Sequence, residues 1–225
     1  MKKILLLTIV VFFTFTVSAQ HKHTPMNTEL DSVSYALGMN IANSFMSGGI
    51  DTLNYTTFIE GLNDVLVEKH AIMDGQDANK IVNDYVSRIK AEQSKSLREP
   101  GEKWLEANAT KDGVIVLPNG LQYKVITQGD GAVPVDGQQV KTHYKGTLID
   151  GKVFDSSYDR GAPATFNINQ VIKGWTQILK MMPVGSKYEV YIPQNLAYGE
   201  RAMGANIPPY SALVFTIELL EIVTN

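Results

Sequence analysis

The stretch Leu213-Val214-Phe215-Thr216-Ile217-Glu218-Leu219-Leu220-Glu221-Ile222 decides the fold of the second half of this chain. Successive side chains of a strand point to opposite faces. Both faces here are largely apolar, so the run predicts a strand in the middle of a sheet. Upstream, Tyr188, Val190 and Ile192 share one face of a run that Pro193 ends, because proline brings no donor to the ladder. Val140, Thr142 and Tyr144 share a face in another run. Leu121, Tyr123 and Val125 alternate with Gln122, Lys124 and Ile126 before the turn at Gly129-Asp130-Gly131. Between these strands, residues 169–182 carry Val171, Ile172, Trp175, Ile178, Leu179 and Met182 as a short helix. Strands with one helix and no βαβ alternation predict an α+β domain over residues 113–225, an antiparallel sheet packed on that helix.

Before Gly113 the period is 3.6 rather than 2. Val33, Leu37, Ile41 and Phe45 mark a first helix, with Thr28 and Asp31 as cap candidates and Gly48-Gly49 as its stop. A second runs over residues 55–69 behind Asn54, with Phe58, Leu62, Val65 and Leu66 on one side. A third begins after Asp74-Gly75 and carries Ala78, Ile81, Val82, Tyr85, Val86 and Ile89. Residues 90–99 are polar almost all round, which suits a solvated spacer. Pro100-Gly101 predicts a kink or break, since proline removes a donor and clashes with the preceding turn. Helix resumes through Trp104 and Leu105 until Lys111-Asp112-Gly113, the expected domain boundary. Such short amphipathic helices bury little apolar surface alone, so their stripes call for a partner. Either a second copy of the chain covers them, as a homodimer, or the helices fold back as a cap on the second domain, and Met39 and Met46 suit both.

Residues 1–19 read as a signal peptide: Lys2 and Lys3, an apolar run over residues 4–17, then Val17-Ser18-Ala19. The run is short of the roughly 20 residues a spanning helix needs, which argues against the alternative of a retained anchor. Residues 20–27 form a flexible tail whose His21 and His23 are a weak metal candidate at best. Cysteine is absent, which excludes a lipidated N-terminus, a disulfide scaffold, a thiolate zinc site and a catalytic thiol. The expectation is a soluble exported protein, periplasmic and not a lipoprotein, with no membrane contact after cleavage. With 20 Lys and Arg against 23 Asp and Glu, no basic surface for nucleic acid is implied.

Of the 225 residues, 44% are hydrophobic and 19% charged, an ordinary globular composition. The chain has no phosphate loop, Gly-x-Ser-x-Gly elbow, His-Glu-x-x-His or dinucleotide fingerprint, and its histidines, His143 among them, are scattered. The sequence points away from a hydrolase or a metalloenzyme and calls for no cofactor. What remains is a group of aromatics with a few polar neighbours. Taken singly, each is better explained by core packing.

Their order says more. Val140-Lys-Thr-His-Tyr-Lys-Gly146, Gly151-Lys-Val-Phe-Asp-Ser-Ser157, Val171-Ile-Lys-Gly-Trp175, Pro183-Val-Gly-Ser-Lys187, Ile192-Pro-Gln-Asn-Leu-Ala-Tyr-Gly199 and Ile207-Pro-Pro-Tyr-Ser-Ala-Leu-Val-Phe215 resemble, in sequence, the FKBP family of peptidyl-prolyl isomerases. Ser34-Tyr-Ala-Leu-Gly38, Phe58-Ile-Glu-Gly61 and Pro118-Asn-Gly-Leu-Gln-Tyr123 are similar to the bacterial subgroup related to macrophage infectivity potentiator. That resemblance implies an N-terminal helical dimerisation arm and connecting helix over residues 28–112, and an isomerase domain whose sheet wraps a short helix.

The resemblance also implies a site. Tyr144, Phe154, Asp155, Val171, Ile172, Trp175, Tyr198, Ile207 and Phe215 would line the pocket, with Phe166 alongside and Arg160 at its edge. Trp175 would floor the substrate proline, the Ile172 amide and Tyr198 hydroxyl would bind substrate carbonyls, and Asp155 would accept from Tyr144 or Arg160. The implied partners are proline-containing folding polypeptides and macrolide inhibitors. A holdase that grips unfolded chains between dimer arms is the competing function. Four features depart from the family pattern: Ala164 where many members carry an aromatic, Ile178 in place of a small residue, the charge pattern of Glu200-Arg-Ala-Met-Gly-Ala-Asn206, and Pro100-Gly101 within what the resemblance implies is one continuous helix.

Overall fold

The computed structural model describes residues 25–223; the expected signal segment and the tail up to residue 24 lie outside the described residues. The chain divides into two units, one ending at Thr52 and one beginning at Leu53. The first holds helix α1, Glu29–Ser47. The Thr28 hydroxyl accepts from the Asp31 amide at 3.1 Å while the Asp31 carboxylate accepts from the Thr28 amide at 2.9 Å, a reciprocal cap for two free donors. No residue of α1 is buried, and Leu30, Val33 and Leu37 are exposed.

The second unit opens with α2, Tyr55–Asn63, capped by Asn54. A wider π-helical turn over Asp64–Glu68 follows and ends at Lys69 in a left-handed conformation. Helix α3 spans Gly75–Ala109, its first amides taken by the Asp74 carboxylate at 2.8 Å. It passes through Pro100 without the break that the sequence predicts. Proline at 100 withdraws only the bond to the carbonyl of Ser96, and both residues sit on the exposed side where water can serve. The opposite face anchors the helix through buried Gly101, Leu105 and Asn108. Asn108 Nδ2 donates to Gln122 Oε1 and Gln122 Nε2 to the Leu105 carbonyl, each at 2.9 Å. Among the described residues no helix is long and apolar enough to cross a membrane.

Seven strands form one antiparallel sheet: β1 Val114–Val116, β2 Gln122–Thr127, β3 Gln139–Leu148, β4 Val153–Ser156, β5 Ala164–Asn167, β6 Lys187–Ile192 and β7 Leu213–Val223. Their order is β1-β2-β6-β7-β3-β4, with β5 pairing the other end of β3. The doubly apolar β7 lies between β6 and β3, as its composition requires. Helix α4, Lys173–Leu179, turns Trp175, Ile178 and Leu179 into a core with Leu121, Val140, Val190, Ile192, Leu213, Ile217 and Leu219. Ile178 is fully buried there, so the branched side chain at this position is absorbed by the helix-sheet interface. A Cβ at Gly174 would come within 2.6 Å of Ile192, so glycine lets the start of α4 approach the sheet.

Candidate active site

The elements around α4 leave a cavity of about 280 Å³, bordered by Tyr144, Phe154, Asp155, Phe166, Gln170, Val171, Ile172, Trp175, Tyr198 and Phe215. Trp175 is its centre, held by α4 and almost wholly buried. Three rings meet it edge-on: Tyr144 at 5.2 Å and 88°, Phe215 at 5.3 Å and 84°, and Phe166 at 5.4 Å and 76°. These offsets suit the ring quadrupoles and lock each wall against the next. Phe154 continues the wall, 5.5 Å from Phe215. Between them Gly146 pairs with Asp155 on one side and Phe215 on the other. A side chain there would collide with both rings, its Cβ 2.6 Å from Phe154 and 2.8 Å from Phe215.

The rim is polar and tied together. Tyr144 Oη donates to Asp155 Oδ2 at 2.5 Å, and Arg160 donates from Nη2 to Tyr144 Oη at 2.8 Å and from Nη1 to Asp155 Oδ1. Burial pushes the Asp155 carboxyl up, but the hydrogen bonds from Tyr144 and Arg160 and the guanidinium charge outweigh it and hold the group below its ordinary value. Burial, then the bond to Asp155, raises the Tyr144 phenol. Burial raises Tyr198 as well, with the Asp155 charge adding to it. Among the described residues neither the Tyr198 hydroxyl nor the Ile172 amide has a hydrogen-bond partner, so both are available at the cavity.

The strand supporting Tyr144 is fixed from behind. The buried Ser157 hydroxyl accepts from the Tyr144 amide at 2.7 Å and lies 2.9 Å from His143 Nδ1, whose ring stacks on Tyr158 at 4.6 Å. His143 thus supports the sheet from outside the cavity.

Nine of the eleven site residues expected from the sequence border the cavity. Arg160 stands at the rim through its bonds. Ile207 does not border it; it is buried in the adjoining core and pairs with Met203. Gln170 borders the cavity unforeseen, and its place beside Val171, in what the structure forms as a turn over residues 168–171, is the one sequence signal for it. Ser157 was visible only as part of the Phe154-Asp155-Ser156-Ser157 run, with nothing to mark its buried hydroxyl.

Two family models match. Residues 131–220 match the FKBP-type peptidyl-prolyl cis-trans isomerase model, and residues 30–125 match the domain amino terminal to it. The chain is 44% identical over 192 residues to the FKBP-type 22 kDa peptidyl-prolyl cis-trans isomerase of Escherichia coli (strain K12), covering 84% of this chain and 93% of that protein. It is 39% identical over 214 residues to the outer membrane protein MIP of Legionella longbeachae, covering 92% and 91%. The crystal structure of FkpA from Escherichia coli superposes with a TM-score of 0.56 at 33% identity, over 87% of this chain and 97% of that one. With both of its parts matched in order, the chain belongs to the FKBP-type peptidyl-prolyl cis-trans isomerases.

Proposed function

We propose that this chain accelerates rotation about Xaa-Pro bonds in exported polypeptides as they fold, with the cavity over Trp175 as the place of turnover. The observation that carries this reading is the apolar cavity of about 280 Å³ walled by Tyr144, Phe166, Trp175 and Phe215, next to two donors with no partner among the described residues.

The chemistry follows from the amide itself. Resonance gives the C–N bond partial double-bond character and a barrier of about 18–20 kcal/mol. The planar amide is more dipolar than the twisted one, so transfer from water to an aromatic cavity disfavours the ground state more than the twisted state. Trp175 supports the pyrrolidine ring, while the Ile172 amide and Tyr198 hydroxyl hold substrate carbonyls on either side of the rotating bond. Asp155 and Arg160 position Tyr144 and the rim; no proton is removed and no covalent bond forms. Macrolide inhibitors compete for the same space.

Residues 28–112 serve as the dimerising arm and connecting helix, and residues 113–225 as the isomerase domain. The exposed apolar residues of α1 and α2, among them Leu30, Val33, Leu37 and Ile59, support a homodimer. Export to the periplasm after loss of residues 1–19 completes the reading. A protease-coupled assay on an Xaa-Pro peptide tests it: the wild type speeds isomerisation, and Tyr198→Ala combined with Asp155→Ala loses most of that rate. Equal rates for the two proteins would exclude catalysis at this cavity and leave the holdase.

A further inference from the structure

We propose that Tyr210 is a positioning residue through which helix α3 sets the mouth of the prolyl cavity; the inference rests on the reading of Tyr198 as a donor to substrate. Tyr210 is held from two directions. Its hydroxyl lies 2.9 Å from Ser94 Oγ of α3, and the Arg98 guanidinium stands over its ring at 5.8 Å from the centre. Its amide donates at 2.6 Å to the carbonyl of Gly199, the residue directly after Tyr198. The side chain therefore reports the position of α3 while the backbone holds the turn that carries the Tyr198 phenol.

The backbone of Tyr210 argues that this placement is imposed. Its φ of 58° is left-handed, a conformation that a bulky residue keeps only when its surroundings over-determine it. The surroundings are the helix. Ser94, Arg98, Gly101, Leu105 and Asn108 recur every three or four residues and so share one face of α3. Gly101 lies so close to Ala212 that a Cβ would stand 3.1 Å from the alanine methyl, which fixes the far end of the 208–212 segment. Between these two attachments, Leu97 faces Pro208 and Pro209 across a cleft of about 330 Å³. Between these attachments the Ser94–Tyr210 bond is the hydrogen bond by which α3 holds the ring of Tyr210.

The test uses the full chain and reads both turnover and binding of a short Xaa-Pro peptide. Ser94→Ala and Tyr210→Phe each remove the one bond and keep the ring. Each is expected to lower kcat/KM about fivefold through a higher KM, the effect of one lost hydrogen bond. The combined variant is expected to lose no more than either, because both break the same contact. In a Tyr198→Phe background, Ser94→Ala is expected to cost nothing further, read by peptide affinity where turnover is slow. A purely structural bond would instead lower the unfolding midpoint and leave kcat/KM at the wild-type value, which overturns the proposal. An equal loss with and without the Tyr198 hydroxyl overturns it too, since α3 would then act elsewhere. A wild-type chain with no turnover on the peptide removes the isomerase reading itself, a result distinct from active wild type with unaffected variants.

Discussion

The Tyr144 hydroxyl donates to Asp155 at 2.5 Å, and one guanidinium, that of Arg160, donates to both. The pair thus carries its charge on the carboxylate and its proton on the phenol throughout the working range. Asp155 is held below its ordinary value and Tyr144 and Tyr198 above theirs. The rate ratio of wild type to Asp155→Asn is therefore expected to stay level between about pH 5 and pH 9, since neither carboxylate nor phenols change charge there. A ratio that changes tenfold across that range would show that the rim titrates.

The same depression makes a stability prediction. A carboxylate whose folded value lies below its unfolded value, near 3.9, stabilises the fold fully above that unfolded value. The contribution is lost as pH falls through the folded value. Asp155→Asn is expected to melt below wild type at pH 7, and the gap is expected to shrink as the pH falls below about 3.9. A gap that persists undiminished in acid would assign the loss to packing instead.

Gly146→Ala tests the closeness of the cavity wall. The added methyl meets Phe154 and Phe215 at less than 3 Å, so the rings that wall the cavity must move. Overpacking of this kind costs about 1–3 kcal/mol. Chemical denaturation is expected to register that loss and the peptide assay a fall of about tenfold or more.

Trp175→Ala removes the ring that three others pack against, and denaturation is expected to show a loss of about 3–5 kcal/mol. The chain has two tryptophans, so Trp104→Phe leaves Trp175 as the sole indole. In that variant an Xaa-Pro peptide is expected to shift the emission at saturating concentration. Emission that ignores the peptide would place binding away from the cavity.

Val33→Glu with Leu37→Glu puts two charges on the exposed face of α1. Sedimentation of the full chain is expected to give a dimer for wild type and a monomer for the double variant, with turnover of a short peptide unchanged. A monomeric wild type would return the apolar face to some other partner.

What the sequence discloses depends on how long each pattern runs. Strand β7 is legible because Leu213–Val223 is long enough for both faces to be read, and its central place follows. Strands β1, β4 and β5 span only three or four residues, too few for alternation to stand out. Helix α4 is shorter than expected because Val171, Ile172 and Met182 face the core or cavity from the turns flanking it, which mimics helical periodicity. At Pro100 a local rule predicts an interruption, and the packing of Gly101, Leu105 and Asn108 overrides it. In the site, the aromatics are legible through their ordered motifs. The withdrawal of Ile207 from the cavity and the entry of Gln170 are set by how two loops fold, which no periodicity encodes.

The cavity over Trp175 is bordered by rings, aliphatic groups, one amide, two phenols and one carboxylate, with no serine, lysine or histidine among them. An electrophilic poison finds no strong nucleophile to trap there. A ligand competing for this space would be held by shape and hydrogen bonds and not by a covalent bond, so a change in the contour of the walls is expected to weaken it.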